Sequence, residues 1–340
     1  MAEDHLNTET SVSAEITETG VKAAAKSRTV ASVDRLLGGA VDVGSAWLEG
    51  VAQRRRAKTE GELQFIQAAV KYGLDKMNVD DEFAKRAFEG HFKKVARQQL
   101  NKDAVVAEAL EDLRTNPPSE QEAVTGPASV SDEFMDRFEY YAETATSDEL
   151  RQRWGRVLSA EIRKPGTFGP KVLRATDELD AKTAAIFERM SASRMRVNAL
   201  AKPLIGDLSF EDTAAVIGAG LIVDPGIVGH LSLFFDLKLN TGEDIWYFGG
   251  GSFGLGIKKS TQINYTENGS LANHNGTPAV QAYILTDVGH ALCSILPANE
   301  FEVFRKLAIE IKKEVSGGEI LYFKQQQNQI FGVPPELFFS

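Results

Sequence analysis

The spacing of apolar residues changes along this chain, and that change most restricts the folds open to it. Before about residue 195, apolar side chains recur at three- and four-residue steps, which is the spacing of one helix face. After that point, segments such as HLSLFFDLKL alternate and are enriched in Phe and Leu, as strands are. We therefore expect a mostly helical α+β protein, with an N-terminal helical region and a helical bundle followed by a smaller α+β C-terminal domain.

Breaks in these patterns divide the 340 residues into five segments. The N-terminal stretch is polar and has no sustained apolar face, and TNPPSEQEAVTGPASVS combines prolines and a glycine with no periodicity. The predicted segments are a disordered arm at 1–31, amphipathic and long helices at 32–114, a linker at 115–130, a helical bundle at 131–195 and an α+β domain at 196–340.

Capping residues mark several helix starts. Asn101 and Ser131 each precede a helical pattern, and Thr146 with Glu149 has the spacing of a capping box. Thr286 precedes a further helix in the C-terminal third. We expect a helix to begin at each of these positions.

An apolar stripe in the first part of the chain is predicted to be an interaction surface. We expect a protein partner or a second copy of the chain to cover it. Its members are Leu36, Leu37, Val41, Trp47, Leu48 and Val51. Arg54, Arg55 and Arg56 follow at once, and a stripe ending in a basic cluster also fits the surface of an anionic membrane. Peripheral contact with the inner membrane through residues 33–58 is therefore an alternative.

Composition favours a cytoplasmic protein. The chain has 38 basic and 48 acidic residues, a net charge of −10, so it is not steered as a whole toward nucleic acid or anionic lipid. Its one cysteine, Cys293, excludes an intrachain disulfide and fits a reducing compartment. The first twenty residues lack the apolar segment of a signal peptide.

No motif predicts an enzyme, a cofactor or a metal site. Gly249–Gly254 fits the phosphate-loop spacing G-x-G-x-x-G, but it lies between strand-like segments, where a glycine-rich hairpin turn explains it. The five histidines show no ligand spacing, and His290 with Cys293 supplies half a metal site at best. Cys293 lies in the apolar run ALCSIL, where a thiol behaves as a buried apolar group.

The C-terminal third has the order of elements found in winged-helix domains. A short helix, FEDTAAVIGAG, is followed by strands and by a second helix start. That first helix carries no Lys or Arg, so we expect it to contact protein rather than DNA. A nucleic-acid-binding regulator is the alternative, with anion contacts from Arg54, Arg55, Arg56, Lys258 and Lys259.

Residues 134–190 resemble a known bacterial family. Their pattern W-x-x-x-L-x-x-E-I followed by P-G-[ST]-F is similar to the central signature of domain of unknown function 2806. The signature positions here are Trp154, Glu161, Pro165, Gly166 and Phe168. The wider resemblance spans about 36–310 and is specific in 134–190. It implies a non-enzymatic bacterial protein with a link to phage defence.

Together these observations predict a non-catalytic protein that acts through protein–protein or self-assembly contacts.

Overall fold

A computed structural model describes residues 23–37, 68, 71, 82–119, 122, 126–127, 129–226, 229–267, 269–326 and 329–335. The chain forms two compact units, Met1–Leu173 and Arg174–Ser340. The first unit is helical in its described part, and the second combines helices with two antiparallel sheets. The expected α+β class is therefore confirmed.

The helical unit is built around one long helix. Its described helices include α1 (Ala23–Leu37), α2 (Glu82–Thr115), α3 (Asp132–Thr144) and α4 (Asp148–Arg163). α2 has 34 residues and packs against α1, α3 and α4. Its apolar side chains Val105 and Val106 are fully buried, together with Phe138 of α3 and Leu158 of α4. The segment predicted as a linker, 115–130, thus joins helices of a single unit.

Two predicted helix starts differ from the observed ones. Asn101 lies inside α2, where its side-chain Nδ2 donates to the carbonyl of Glu143 at 2.8 Å and its Oδ1 accepts from Arg151 at 2.9 Å. A buried amide can lie inside a helix when tertiary partners satisfy it, and no capping position is then required. α4 is capped by Ser147, whose Oγ accepts from the N–H of Leu150 at 3.2 Å. Ser131 caps α3 as expected.

α1 corrects two expectations about the N-terminal region. Residues 23–31 were predicted to belong to a disordered arm, but they form the first turns of this helix. Leu36 was predicted to be an exposed interaction residue, but it is 0% exposed, because α1 packs its apolar face onto α2 and α4. Leu37 is half-buried. The remaining predicted members, Val41, Trp47, Leu48 and Val51, lie outside the described residues.

A buried arginine fixes α1 to the rest of the unit. The guanidinium of Arg28 is 0% exposed and donates to the carbonyls of Ile162 at 2.6 Å, Glu122 at 2.8 Å and Pro127 at 3.0 Å. Burial lowers the pKa of Arg28, and the charge of Glu122 opposes that shift. Because Ile162 lies in the last turn of α4, Arg28 satisfies a carbonyl that the helix leaves without an internal partner.

The C-terminal unit is mostly strands. The nine-residue helix α5 (Pro170–Glu178) contains the last residues of the first unit and the first residues of the second. The remaining helices are α6 (Ala181–Ser191), α7 (Lys202–Ile205), α8 (Phe210–Gly218), α9 (Asp287–Cys293) and α10 (Glu300–Lys312). The strands are β1 (Arg194–Arg196), β2 (Ala199–Ala201), β3 (His230–Leu233), β4 (Phe235–Lys238), β5 (Asp244–Gly249), β6 (Phe253–Lys258), β7 (Leu271–His274), β8 (Thr277–Ile284), β9 (Leu321–Gln326) and β10 (Gln329–Val333).

These strands form two five-stranded antiparallel sheets. One has the order β1-β2-β8-β3 with β7 also paired to β8, and the other has the order β10-β9-β6-β5-β4. The first sheet passes into the second at Phe234, a buried residue between β3 and β4. This arrangement is richer in strands than the winged-helix layout that we expected, so the coarser α+β description is the one that the structure supports.

α10 covers one face of the second sheet, here called the packed face. Its side chains Phe304, Leu307 and Ile311 are fully buried in one cluster with Phe248 and Leu255 of the sheet. The predicted cap Thr286 is confirmed, since its Oγ1 accepts from the N–H of Gly289, and Asn299 caps α10 by accepting from the N–H of Glu302. The opposite face of the same sheet carries a smaller apolar cluster of Ile245, Tyr247 and Phe323.

Candidate interaction groove

The signature residues build a structural turn. Glu161 is buried near the end of α4, and its carboxylate accepts hydrogen bonds from the N–H groups of Gly166 at 2.5 Å and Phe168 at 2.9 Å. Burial raises the pKa of this carboxyl, and the backbone donors oppose the shift. Gly166 supplies a φ of 88°, which favours glycine. Pro165 precedes it, and Phe168 is 1% exposed, so Glu161 anchors the turn and presents no free carboxylate to a ligand.

Trp154 belongs to the core of the helical unit. It is 1% exposed, its ring stacks on Tyr141 with centroids 4.8 Å apart, and the ring of Phe138 meets it edge-on at 5.9 Å. Stacked and edge-on pairs stabilise a core beyond the area that they bury. The tryptophan and glutamate of the signature therefore both have structural roles.

The Gly249–Gly254 segment is a hairpin turn that a carboxylate of the same chain fills. It joins β5 to β6, and the side chain of Glu300 accepts from the N–H groups of Ser252 at 2.8 Å and Phe253 at 3.1 Å. A Cβ at Gly250 would lie 2.5 Å from the Glu300 carboxylate. The donors that a phosphate would need are thus bonded to Glu300, as the hairpin-turn interpretation allows.

Gly254, the last residue of this segment, and Gly256 of β6 make room for aromatic rings. They lie on the face of the second sheet opposite the packed face, here called the groove face. A Cβ at Gly254 would lie 2.5 Å from the hydroxyl of Tyr247, and one at Gly256 would lie 2.7 Å from the ring of Phe323. The hydroxyl of Tyr247 is buried and has no hydrogen-bond partner among the described residues. Burial raises the pKa of Tyr247, and the nearby Arg196 opposes that shift. Gly254 and Gly256 therefore leave space for the packing of these two rings.

The groove face of the second sheet borders an apolar groove of about 720 Å³. The groove lies between β4 with its following turn on one side and β9 with β10 on the other. Most of its lining side chains are Leu, Ile, Val, Pro, Phe or Tyr, which is the composition of sites that bind apolar groups. The lining residues are 237–241, 319–323, 330 and 332–335. We call this site the β4–β10 groove.

Two exposed apolar side chains lie on the groove side of the sheet. Phe235 of β4 is 58% exposed, and Ile330 of β10, which lines the groove, is 37% exposed. Single exposed apolar residues are common on protein surfaces, whereas several of them around one groove are typical of a contact surface. The strands that carry them, β4 and β10, are the two edges of the sheet.

Of the basic residues predicted to contact anions, the two that the structure describes are paired with carboxylates. Lys258 lies 3.4 Å from Glu243 and 3.5 Å from Glu319, and these carboxylates raise its pKa. Lys259 is paired with Asp236 and lies over the ring of Trp246. Arg54, Arg55 and Arg56 lie outside the described residues. The two lysines thus meet carboxylates of their own chain.

The structure also places the remaining chemical candidates. Cys293 is 1% exposed, and burial raises the pKa of its thiol to about 11, a value that disfavours the nucleophilic thiolate. Within the described ranges, no three His, Cys, Asp or Glu side chains lie close enough together to hold a metal ion. Each helix in this part of the chain is too short or too polar to cross a bilayer.

Sequence reasoning missed the β4–β10 groove, although one signal was present. The alternation of Phe235, Leu237 and Leu239 with polar residues predicts a strand with one apolar face, and the polar intervening residues indicate an edge. The other wall of the groove comes from strands more than eighty residues further along the chain, and no local pattern shows that the two walls meet.

Comparison with known proteins identifies the middle of the chain. A family model described as "Protein of unknown function (DUF2806)" matches residues 85–215, which include every residue of the signature. No curated protein and no solved structure matches the chain. The groove lies outside the matched residues. Residues 85–215 of this chain are therefore similar to the DUF2806 family.

Proposed function

We propose that this chain is a non-catalytic binding protein that contacts protein through the β4–β10 groove of its C-terminal unit. The observation that carries the proposal is the groove itself, an apolar channel of about 720 Å³ flanked by the two edge strands of one sheet. Sheet edges offer unpaired backbone groups, and an apolar face beside them offers side-chain contacts. A protein strand can use both kinds of contact at once.

The charged residues of the C-terminal unit favour a protein over a nucleic acid. Lys258 and Lys259 are paired with carboxylates of the chain, so binding phosphates would require breaking these ion pairs. The helix that would read DNA in a winged-helix interpretation is α8. Its first turn carries Glu211 and Asp212, and Phe210 beside them is 91% exposed. An acidic helix start repels phosphate, whereas an exposed Phe suits a protein contact.

Site-specific photo-crosslinking tests the proposal. A benzoylphenylalanine residue at position 330 would report contacts within the groove, because Ile330 lines it. The matched control is the same residue at position 140, where Tyr140 is 64% exposed on α3 of the helical unit. The full chain is irradiated in the cells that naturally make it. We expect a discrete protein adduct from position 330 that position 140 does not give.

A second variant shows whether the adduct depends on the groove. Gly332 lines the groove, and no atom lies within 4 Å of a Cβ placed there. Gly332→Trp should therefore fill the groove without disturbing the sheet, and the adduct from position 330 should disappear. Identical adducts from positions 330 and 140, or no adduct from position 330, would contradict the proposal.

A further inference from the structure

The free edge of β4 has a self-complementary sequence. Leu239 donates its N–H to Glu243 at 2.9 Å, so the odd-numbered residues of β4 direct their backbone groups toward β5. The even-numbered residues Asp236 and Lys238 therefore direct theirs outward. No strand among the described residues pairs with this side of β4.

From this geometry we propose that a second copy of the chain pairs with β4, strand to strand and antiparallel, about a twofold axis at Leu237. The inference rests on the proposed function and names the partner for the β4 side of the groove. A twofold interface uses the same surface on both copies, so the strand must complement itself. β4 meets that condition in its backbone, its charges and its apolar side chains.

The backbone groups fit this register. Centring the axis on Leu237 places Asp236 opposite Lys238 of the second copy, and Lys238 opposite its Asp236. Both residues direct their N–H and C=O groups outward, so each of these pairs can exchange two hydrogen bonds. Leu237 then lies opposite Leu237 of the second copy in a non-hydrogen-bonded pair, because the N–H and C=O groups of Leu237 point toward β5. Moving the register by one residue would set inward-facing groups opposite outward-facing ones.

The side chains fit the same register. Asp236 and Lys238 lie on the packed face of the sheet, so the register forms two opposite-charge cross-strand pairs. On the groove face, Leu237 meets Leu237, and Phe235 lies opposite Leu239 of the second copy. Phe235 is 58% exposed in the single chain, and pairing would cover it. A lysine usually protects an edge strand from pairing, but here the register supplies it with an aspartate.

A charge-exchange experiment tests the register by sedimentation velocity on the full chain. Lys238→Glu places two acidic side chains opposite each other twice, and Asp236→Lys does the same with lysines. We expect the wild-type chain to dimerise and each variant alone to dimerise about tenfold or more weakly. A mixture of the two variants should dimerise again, because both cross-strand pairs are then complementary. Rescue in the mixture excludes misfolding, including any effect of losing the Asp236 pair with Lys259.

A disulfide experiment tests the axis. Residues of a non-hydrogen-bonded antiparallel pair have Cα atoms about 4.5 Å apart, which is within the range of a disulfide. Leu237→Cys should therefore oxidise to a covalent dimer, while Lys238→Cys, two residues out of register with its equivalent, should do so much more slowly. The natural Cys293 is buried and should not contribute.

A wild-type chain that stays monomeric at every concentration reached would overturn the inference. So would a dimer that Lys238→Glu leaves intact, or equal disulfide yields from positions 237 and 238. These results leave the proposed function standing if position 330 still gives its adduct with another protein. Loss of that adduct while the dimer and its charge dependence persist would instead refute groove binding and keep the β4 pairing.

Discussion

The carboxylate of Glu300 accepts a hydrogen bond of 2.8 Å from the backbone N–H of Ser252, a residue 48 positions earlier in the chain. A second bond from Phe253 fixes the same turn. The amides of this glycine-rich segment, which has phosphate-loop spacing, thus bind a carboxylate of the protein itself. The segment is therefore a structural hairpin. Removing the carboxylate should therefore affect stability.

We expect Glu300→Ala to lower the free energy of unfolding by about 1–3 kcal/mol, because two backbone donors lose a charged acceptor. Glu302→Ala is the matched control in the same helix turn. Glu302 pairs with Arg305 at a partly exposed position, and such a pair contributes little because solvent screens its charges. Urea unfolding followed by far-UV circular dichroism measures both. Equal losses would show that the turn does not depend on Glu300.

Arg28→Lys should destabilise the helical unit by at least about 2 kcal/mol. Lysine keeps the charge, but its one ammonium group cannot reach the carbonyls of Ile162, Glu122 and Pro127 together, so buried acceptors lose their donors. Arg35→Lys on the same helix is the control, since Arg35 pairs with the exposed Asp132 and Asp136 and its replacement should cost less than about 1 kcal/mol. Thermal unfolding distinguishes them, and matching midpoints would contradict the prediction.

The raised pKa of Glu161 predicts a specific pH dependence. Burial lifts the folded-state pKa above its ordinary value of 4.5, so the folded protein holds this proton more tightly than the unfolded chain does. The resulting stabilisation is complete below the unfolded pKa and is lost as pH rises through the folded pKa.

Glu161→Gln should remove that pH dependence. We expect the wild-type free energy of unfolding to fall relative to that of the variant as pH rises from 4.5, so the cost of the substitution is largest at low pH. Urea unfolding at a series of pH values gives the two curves. If the curves run parallel, the carboxyl does not titrate differently in the folded state.

Two glycines of the second sheet should respond in opposite ways to alanine. Gly254→Ala would push a methyl group into the ring of Tyr247, and such overpacking costs about 1–3 kcal/mol. Gly332→Ala has open space at its Cβ, so it should be neutral or slightly stabilising. Denaturant midpoints of the two variants provide the measurement. A harmless Gly254→Ala would mean that Tyr247 moves aside freely.

Local patterns in the sequence determined where elements begin and which period they follow. The alternation in HLSLFFDLKL became β3 and β4, and the capping residues Ser131, Thr286 and Asn299 start α3, α9 and α10. The signature around Trp154 located the DUF2806 region. These features depend on neighbours a few residues apart, which is the range over which side chains cap backbone groups and set one face of a helix or strand.

Only the tertiary structure decided which surfaces are covered. The apolar pattern around Leu36 is the same whether another protein or α2 covers it, and the fold brings α2 and α4 onto it. The glycines at 249–254 are compatible with a phosphate or with Glu300, and the packing of α10 supplies Glu300. Burial and partnership depend on contacts between residues far apart in sequence, so the free edge of β4 became visible only when the sheet order was known.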